Sequence, residues 1–392
     1  MAKNKENTEN LEGLNATRER SQIFLKDHKK EHFNFAPKTD YKVSTNSIKL
    51  DMILDGGLGP GIQRLCGITE GGKTSFALLV AANFQKTVPN SFVVYVKAEG
   101  RLSDVMLKRS GIDTSENRFL VLSTNQFECV FNYIKEMVLQ ENNTEKTKFC
   151  FIIDSLDSLD TADNKDKKFG ESQKVASGAA INTVFTRQMS LPMNALGHML
   201  ILISQQRNSL NIKSYTGPTT IESGGFAVKH FSNNTLEFKQ RYESDFIYEN
   251  SSAASRAAKG NRIGHFCKII FKKSDDEKTG TSVSYPIKYG RTDGNSVWKE
   301  YEILRLLETW KMFESKGAGW INFTPDTLEL LNKASISLDE KTKWQGEVNF
   351  LEFFEQNPNV TNFFADYFKN MLNKDFLTKD AIEDDSISDS NG

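Results

Sequence analysis

The sequence predicts an α/β fold: a mainly parallel, twisted sheet flanked by helices, with a short amino-terminal arm and a small helical carboxyl-terminal region. A short strand-like run at 62–66 and largely apolar runs at 92–96, 119–122, 149–153 and 198–203 have the length of strands in a buried sheet. Stretches of helical character lie between them. One covers 75–85, rich in alanine and leucine; another covers 127–138, with Phe127, Val130, Phe131, Ile134 and Val138 on one face. Strands alternating with helices favour parallel pairing, because each return crossing needs a helix.

The first strand runs into Gly67-Ile68-Thr69-Glu70-Gly71-Gly72-Lys73-Thr74, followed by Ser75 and the first helical stretch. Glycine, four residues, glycine, lysine and threonine at a strand-to-helix turn is the spacing of a P-loop. Gly67, Gly71 and Gly72 permit backbone conformations that aim successive N–H groups inward, and the helix adds its positive dipole end. A triphosphate fits there, so ATP with Mg2+ is the expected ligand. Lys73 would reach the β- and γ-phosphates, and the Thr74 hydroxyl would take one position on the metal. The alternative is a glycine-rich turn that binds nothing.

The chain has 392 residues, enough for one substantial core with smaller appendages, and a formal net charge of −1. That balance excludes a globally basic nucleic-acid binder and leaves any DNA contact to particular loops. No apolar run approaches a membrane span, so no membrane partner and a cytoplasmic location are expected. Cys66, Cys129, Cys150 and Cys267 are far apart and read as small buried hydrophobes; no structural metal is expected from their spacing with the five histidines.

Residues 1–42 are polar, with one amphipathic segment at 14–25 containing Ile23 and Phe24; they form either a frayed tail or an oligomerisation arm that docks on a neighbouring subunit. Residues 43–300 hold the core. Within it, the run at 149–153 ends at Asp154-Ser155, as a buried strand delivering a carboxylate to magnesium requires. Two long segments then leave strand ends on the same edge. The first, 160–174, carries Lys165, Lys167, Lys168 and Lys174; the second, 207–225, carries Arg207, Asn208, Lys213, Gly224 and Gly225. Loops of that length are usually functional or disordered. Residues 301–378 read as a small helical region with aromatic stripes at core spacing, and 379–392 as an acidic, disordered tail.

In their order and spacing, Ser44-Thr-Asn-Ser47 with Leu50-Asp51, the P-loop, Ala98-Glu99, Asp154-Ser155, Ser204-Gln205, Ser223-Gly224-Gly225 and Lys229 resemble the RecA-type recombinases, and most of all their phage UvsX-like branch. The resemblance implies that Glu99 is the general base for the attacking water, that Lys73 acts on the phosphates, and that Gln205 senses the γ-phosphate. It implies that the two loops and Arg187 contact DNA. It places Lys229 near the next subunit, Lys272 or Lys273 at a neighbour's phosphates, and Tyr289-Gly290 near the adenine across that interface. Lys97, where the family often has an acid, and His230, where a larger aromatic often sits, depart from the pattern.

The function implied is a DNA-dependent ATPase that forms filaments on single-stranded DNA and exchanges strands with homologous duplex DNA. Its partners would be DNA, further copies of the chain, and single-strand-binding or loader proteins. Alternatives are a hexameric helicase motor of the same fold, for which the amino-terminal arm is short, and a filament or mediator protein without strand exchange.

Overall fold

Six parallel strands form the centre of a nine-stranded sheet in the computed structural model, which describes residues 2–36, 39–99, 102–140, 146–165, 175–208, 220–222, 225–250, 259–275, 277–338 and 342–371. The central strands are β1 (Gly61–Gly67), β2 (Ser91–Lys97), β3 (Phe119–Leu122), β4 (Lys148–Asp154), β5 (Met199–Ile203) and β8 (Asn234–Phe238). They lie in the order β8-β1-β5-β4-β2-β3. A short hairpin, β6 (Gln206–Asn208) and β7 (Thr220–Glu222), follows β5. Beyond β8, the sheet continues antiparallel through β10 (Arg262–Lys273) and β11 (Ser282–Lys288), with β9 (Phe246–Tyr248) pairing β10. The expected strands are present, and the antiparallel extension adds three more. Every residue of β1, β5 and β8 is buried, which explains why β5 reads as an apolar run without alternation; β1 and β8 also bury the polar side chains of Gln63, Arg64, Asn234, Thr235 and Glu237.

Helices cover both faces. On one face α2 (Ile48–Ile53), α3 (Lys73–Thr87) and α4 (Asp104–Ser110) pack Leu50, Phe76, Leu78 and Phe84 against Val93, Tyr95, Ile152 and Ile201. α3 is preceded by Gly72, whose φ of 104° is left-handed, and stops where Val88 turns extended before Pro89. On the other face α5 (Phe127–Leu139) and α7 (Val175–Leu196) bring Phe131 and Phe185 into a stack with centroids 3.8 Å apart, above Val94, Phe151 and Leu200. The buried residues of α5 are the five apolar positions its periodicity predicts. Between these two helices lies the short α6 (Ala162–Lys165), and α8 (Gly225–Phe231) leads into β8.

The carboxyl-terminal region is mixed, not purely helical. α9 (Lys299–Thr309), α10 (Pro325–Lys333), α11 (Gly346–Gln356) and α12 (Pro358–Met371) surround a three-stranded antiparallel sheet of β12 (Phe313–Lys316), β13 (Trp320–Phe323) and β14 (Lys343–Gln345). Its strands are too short to show a period, so only the helices are legible in sequence. Trp344, Phe350, Phe354, Phe364 and Phe368 form its core, and Ile48 of α2 reaches into the same cluster. Asp51 of α2 is fully buried. It accepts from Thr45 N and Thr45 Oγ1, each at 2.7 Å, and pairs with Lys369 of α12 at 3.3 Å. The motif at 44–51 is therefore a joint between the sheet and this region.

Cysteine burial departs from expectation at one position. Cys66, Cys150 and Cys267 are buried, but Cys129 is exposed, because it falls on the outer face of α5. The amino-terminal α1 (Ala2–Asp27) is a long helix with Leu14, Ile23 and Phe24 exposed.

Candidate functional site

In the order β1-β5-β4-β2, the carboxyl ends of four adjacent parallel strands deliver the P-loop, Gln205, Asp154 and Glu99 to one edge of the sheet. Ligands bind at such edges in open parallel sheets because loops and helix N-termini converge there. The P-loop is locked from below. Gly67, at φ 134°, sits so close to β8 that a Cβ would lie 2.2 Å from Phe238 O. No other residue type fits there without moving a strand.

Lys73 is buried, and its ammonium donates to Gly67 O at 2.9 Å and Ile68 O at 2.5 Å, across the mouth of the loop. Burial pulls its pKa down, while Asp154, Cys66, Asp157 and Glu99 act in the opposite sense. Thr74 Oγ1 donates to Asp154 Oδ2 at 2.8 Å, and the Tyr95 hydroxyl donates to the same oxygen at 2.6 Å. Desolvation pushes the Asp154 carboxyl up, and these two hydrogen bonds restrain the rise. A hydroxyl and a carboxylate meeting beside a phosphate cradle are hard oxygen donors. They suit a magnesium ion that keeps most of its water.

Glu99 stands beside this pair. Its Oε1 accepts from Ser155 Oγ, from Ser158 Oγ at 2.8 Å and from Gln205 Nε2 at 3.2 Å. The Gln205 backbone N–H donates to Asp157 Oδ2 at 2.5 Å. The two groups assigned to the water and the γ-phosphate are thus in direct contact, although 106 residues separate them. Ser158, Asp157 and Tyr95 were not singled out from the sequence. Tyr95 had a visible signal, a lone hydroxyl in an apolar strand; the two others lie on a short turn, Leu156–Ser158, whose geometry no local pattern announces.

A cavity of about 490 Å³ extends from the P-loop, lined by Glu70 to Phe76 on one side and by Met106, Arg109, Arg241, His265, Tyr289 and Gly290 among others. Tyr289 and Gly290 therefore share a cavity with the P-loop of their own chain. The turn that carries them folds back against α3 and α4, where Asp293 N donates to Lys108 O at 3.0 Å. Lys272 pairs with the buried Glu237 at 3.1 Å, and Lys273 donates to His230 O and Ser232 O, at 2.6 and 2.5 Å, so neither lines this cavity. Lys229 lies half-buried on α8.

Arg187 is exposed on α7. Lys165 ends α6; Arg207 and Asn208 belong to β6, and Gly225 opens α8. Lys167, Lys168, Lys174, Lys213 and Gly224 lie outside the described residues. The described flanks of both segments leave neighbouring parallel strands, β4 and β5, at the nucleotide edge.

The RecA N-terminal domain family matches residues 32–265. Protein RecA of Bifidobacterium breve is 27% identical over 321 residues, covering 81% of this chain and 71% of that protein. Protein RecA of Fusobacterium nucleatum is 28% identical over 200 residues, half of each chain. The mitochondrial DNA repair protein recA homolog 3 of Arabidopsis thaliana is 27% identical over 210 residues, 52% of this chain and 46% of that protein. The Fusobacterium and Arabidopsis matches thus span about half of those relatives' own length.

Proposed function

Since this chain belongs to the RecA family, we propose that it is a DNA-dependent ATPase that assembles on single-stranded DNA as a filament and carries out homologous pairing and strand exchange in recombination and repair. Its place in the phage UvsX-like branch belongs to the same proposal. The observation that carries the reading is the contact between Glu99 and Gln205, set beside Lys73, Thr74 and Asp154 at one sheet edge. A phosphate cradle alone fits many functions. A carboxylate tied to the residue that opens a long polar segment fits an ATPase whose turnover answers to what that segment binds.

ATP with Mg2+ supplies an electrophilic phosphoryl group whose charge the metal helps to neutralise. The chain's residues do the rest. The P-loop amides and Lys73 hold the phosphates, Thr74 and Asp154 offer oxygens to the metal, and Glu99 orients and deprotonates the attacking water. Of the three donors on Glu99 Oε1, Gln205 is the one whose departure would be felt at β6. Gln205 is thereby the link between phosphate and DNA, an order change of a kind known in nucleotide switches.

The test is ATP hydrolysis with and without single-stranded DNA, paired with electron microscopy in the presence of a non-hydrolysed ATP analogue. Stimulation by DNA and helical filaments are expected. Closed rings would favour a helicase motor, and hydrolysis indifferent to DNA would favour a mediator without exchange.

A further inference from the structure

The loop's own lysine is not the only cation at the phosphate end of the cavity. Arg241 follows β8 by three residues, on the segment that underlies the P-loop. Gly67 packs against Phe238, and a Cβ on Gly71 would lie 3.1 Å from Phe238 Cβ and 3.6 Å from Lys239 O. From that segment the Arg241 guanidinium donates Nη2–H to Glu70 O at 2.8 Å. Glu70 sits at the crest of the loop with φ 63°, one residue before Gly71. Arg241 lines the same cavity as Lys73 and Thr74, and its charge reaches other groups there: it adds to the desolvation that pulls His265 down and offsets part of the burial that pushes Cys267 up.

We propose that Arg241 is a phosphate-contacting residue supplied in cis, a second cation that the segment after β8 holds at the crest of the P-loop. The proposal rests on the nucleotide reading of the P-loop and adds to it a residue outside every motif of the sequence. A guanidinium carries five N–H groups in a rigid planar fork. One edge can brace Glu70 O while the other addresses a phosphate oxygen, so the brace that orients the fork need not be broken on binding. Lys73 is turned onto two backbone carbonyls inside the loop, whereas Arg241 is half-buried at its rim. The two cations therefore approach the phosphates from different sides.

The experiment is calorimetric titration of the full-length protein with AMP, ADP and ATP, each with Mg2+, at two salt concentrations. Arg241→Gln removes the charge and keeps an amide that can still donate, and Arg241→Lys keeps the charge. For R241Q, affinity for ATP and ADP should fall about tenfold, as loss of one charge-assisted hydrogen bond does, while AMP loses less than threefold. The salt dependence of ATP binding should weaken in step, and R241K should recover part of the loss. Equal losses for all three nucleotides would make Arg241 a brace for the loop and overturn the proposal, as would ATP affinity unchanged in R241Q. A parent protein that binds ATP no better than Lys73→Ala does would instead sink the nucleotide reading itself.

Discussion

The nucleotide edge of the sheet and the carboxyl-terminal aromatic cluster use buried side chains in opposite ways. At the edge, polar groups are packed beneath helices and strands with few spare partners: Tyr95, Thr74 and Asp154 share one carboxylate oxygen, and Glu99 takes three donors on one of its own. In the cluster, Phe323, Trp344, Phe350, Phe354 and Phe364 meet mostly edge to face or tilted, with centroids 4.8 to 6.4 Å apart. Rings in that geometry contribute burial and a modest directional term, and they ask for no specific chemistry. The edge is thus expected to be rich in function and tolerant in stability, and the cluster the reverse.

The largest expected effect falls at the edge. Glu99→Gln should lower ATP turnover by about 100-fold or more, because the water loses its base, while nucleotide binding and thermal stability stay close to the parent's. Steady-state hydrolysis alongside calorimetric binding checks this, and a parent-like rate would remove Glu99 from its role.

The complementary change lies in the cluster. Phe354→Ala opens a cavity in a fully buried aromatic core and should destabilise this region by about 3–5 kcal/mol. Denaturant unfolding should show a lowered transition, whereas ATP binding by whatever remains folded should be unaltered. Loss of nucleotide affinity in folded protein would mean that the two regions are energetically one.

A third prediction concerns the joint between them. Glu302 on α9 is fully buried, accepts from Ser47 Oγ at 2.6 Å and Ile48 N at 2.8 Å, and is pushed up to about 7, chiefly by desolvation. A carboxyl whose folded pKa exceeds its unfolded one stabilises the fold most when protonated. Its contribution should be complete below the ordinary glutamate range and be lost as pH rises through about 7, a change on the order of 3 kcal/mol. Melting temperatures from pH 4 to 8 should fall on this account in the parent and fall less in Glu302→Gln.

The smallest effect is expected at Ser47, whose hydroxyl accepts from Leu50 N as the N-cap of α2 while donating to Glu302. Ser47→Ala should cost about 1–2 kcal/mol by chemical denaturation and leave turnover alone. A larger loss would show that the joint carries both regions.

Local patterns revealed the P-loop, the five expected strands and the face of α5, because each depends on residues adjacent or one helical turn apart. Ser44 to Asp51 could be quoted as a motif, but its work was hidden: Asp51 and Ser47 act on Lys369 and Glu302, more than 250 residues away. The three strands of the carboxyl-terminal region were missed for another reason. At three or four residues each, their pairing comes from the aromatic core beneath them and not from their own alternation.

By itself, then, the sequence determined the α/β core and the phosphate cradle, since steric freedom at glycine and the periods of strand and helix are written within a few residues of chain. Only the tertiary structure decided which strand ends stand side by side. That order brought Glu99 to Gln205, set Tyr95 against Asp154, folded Tyr289 back over its own P-loop and aimed Arg241 at the crest of that loop. These are contacts between segments 59 to 171 residues apart in the hydrogen-bonded cases. Hydrogen bonds and cavities of that kind follow from packing, which no local pattern encodes.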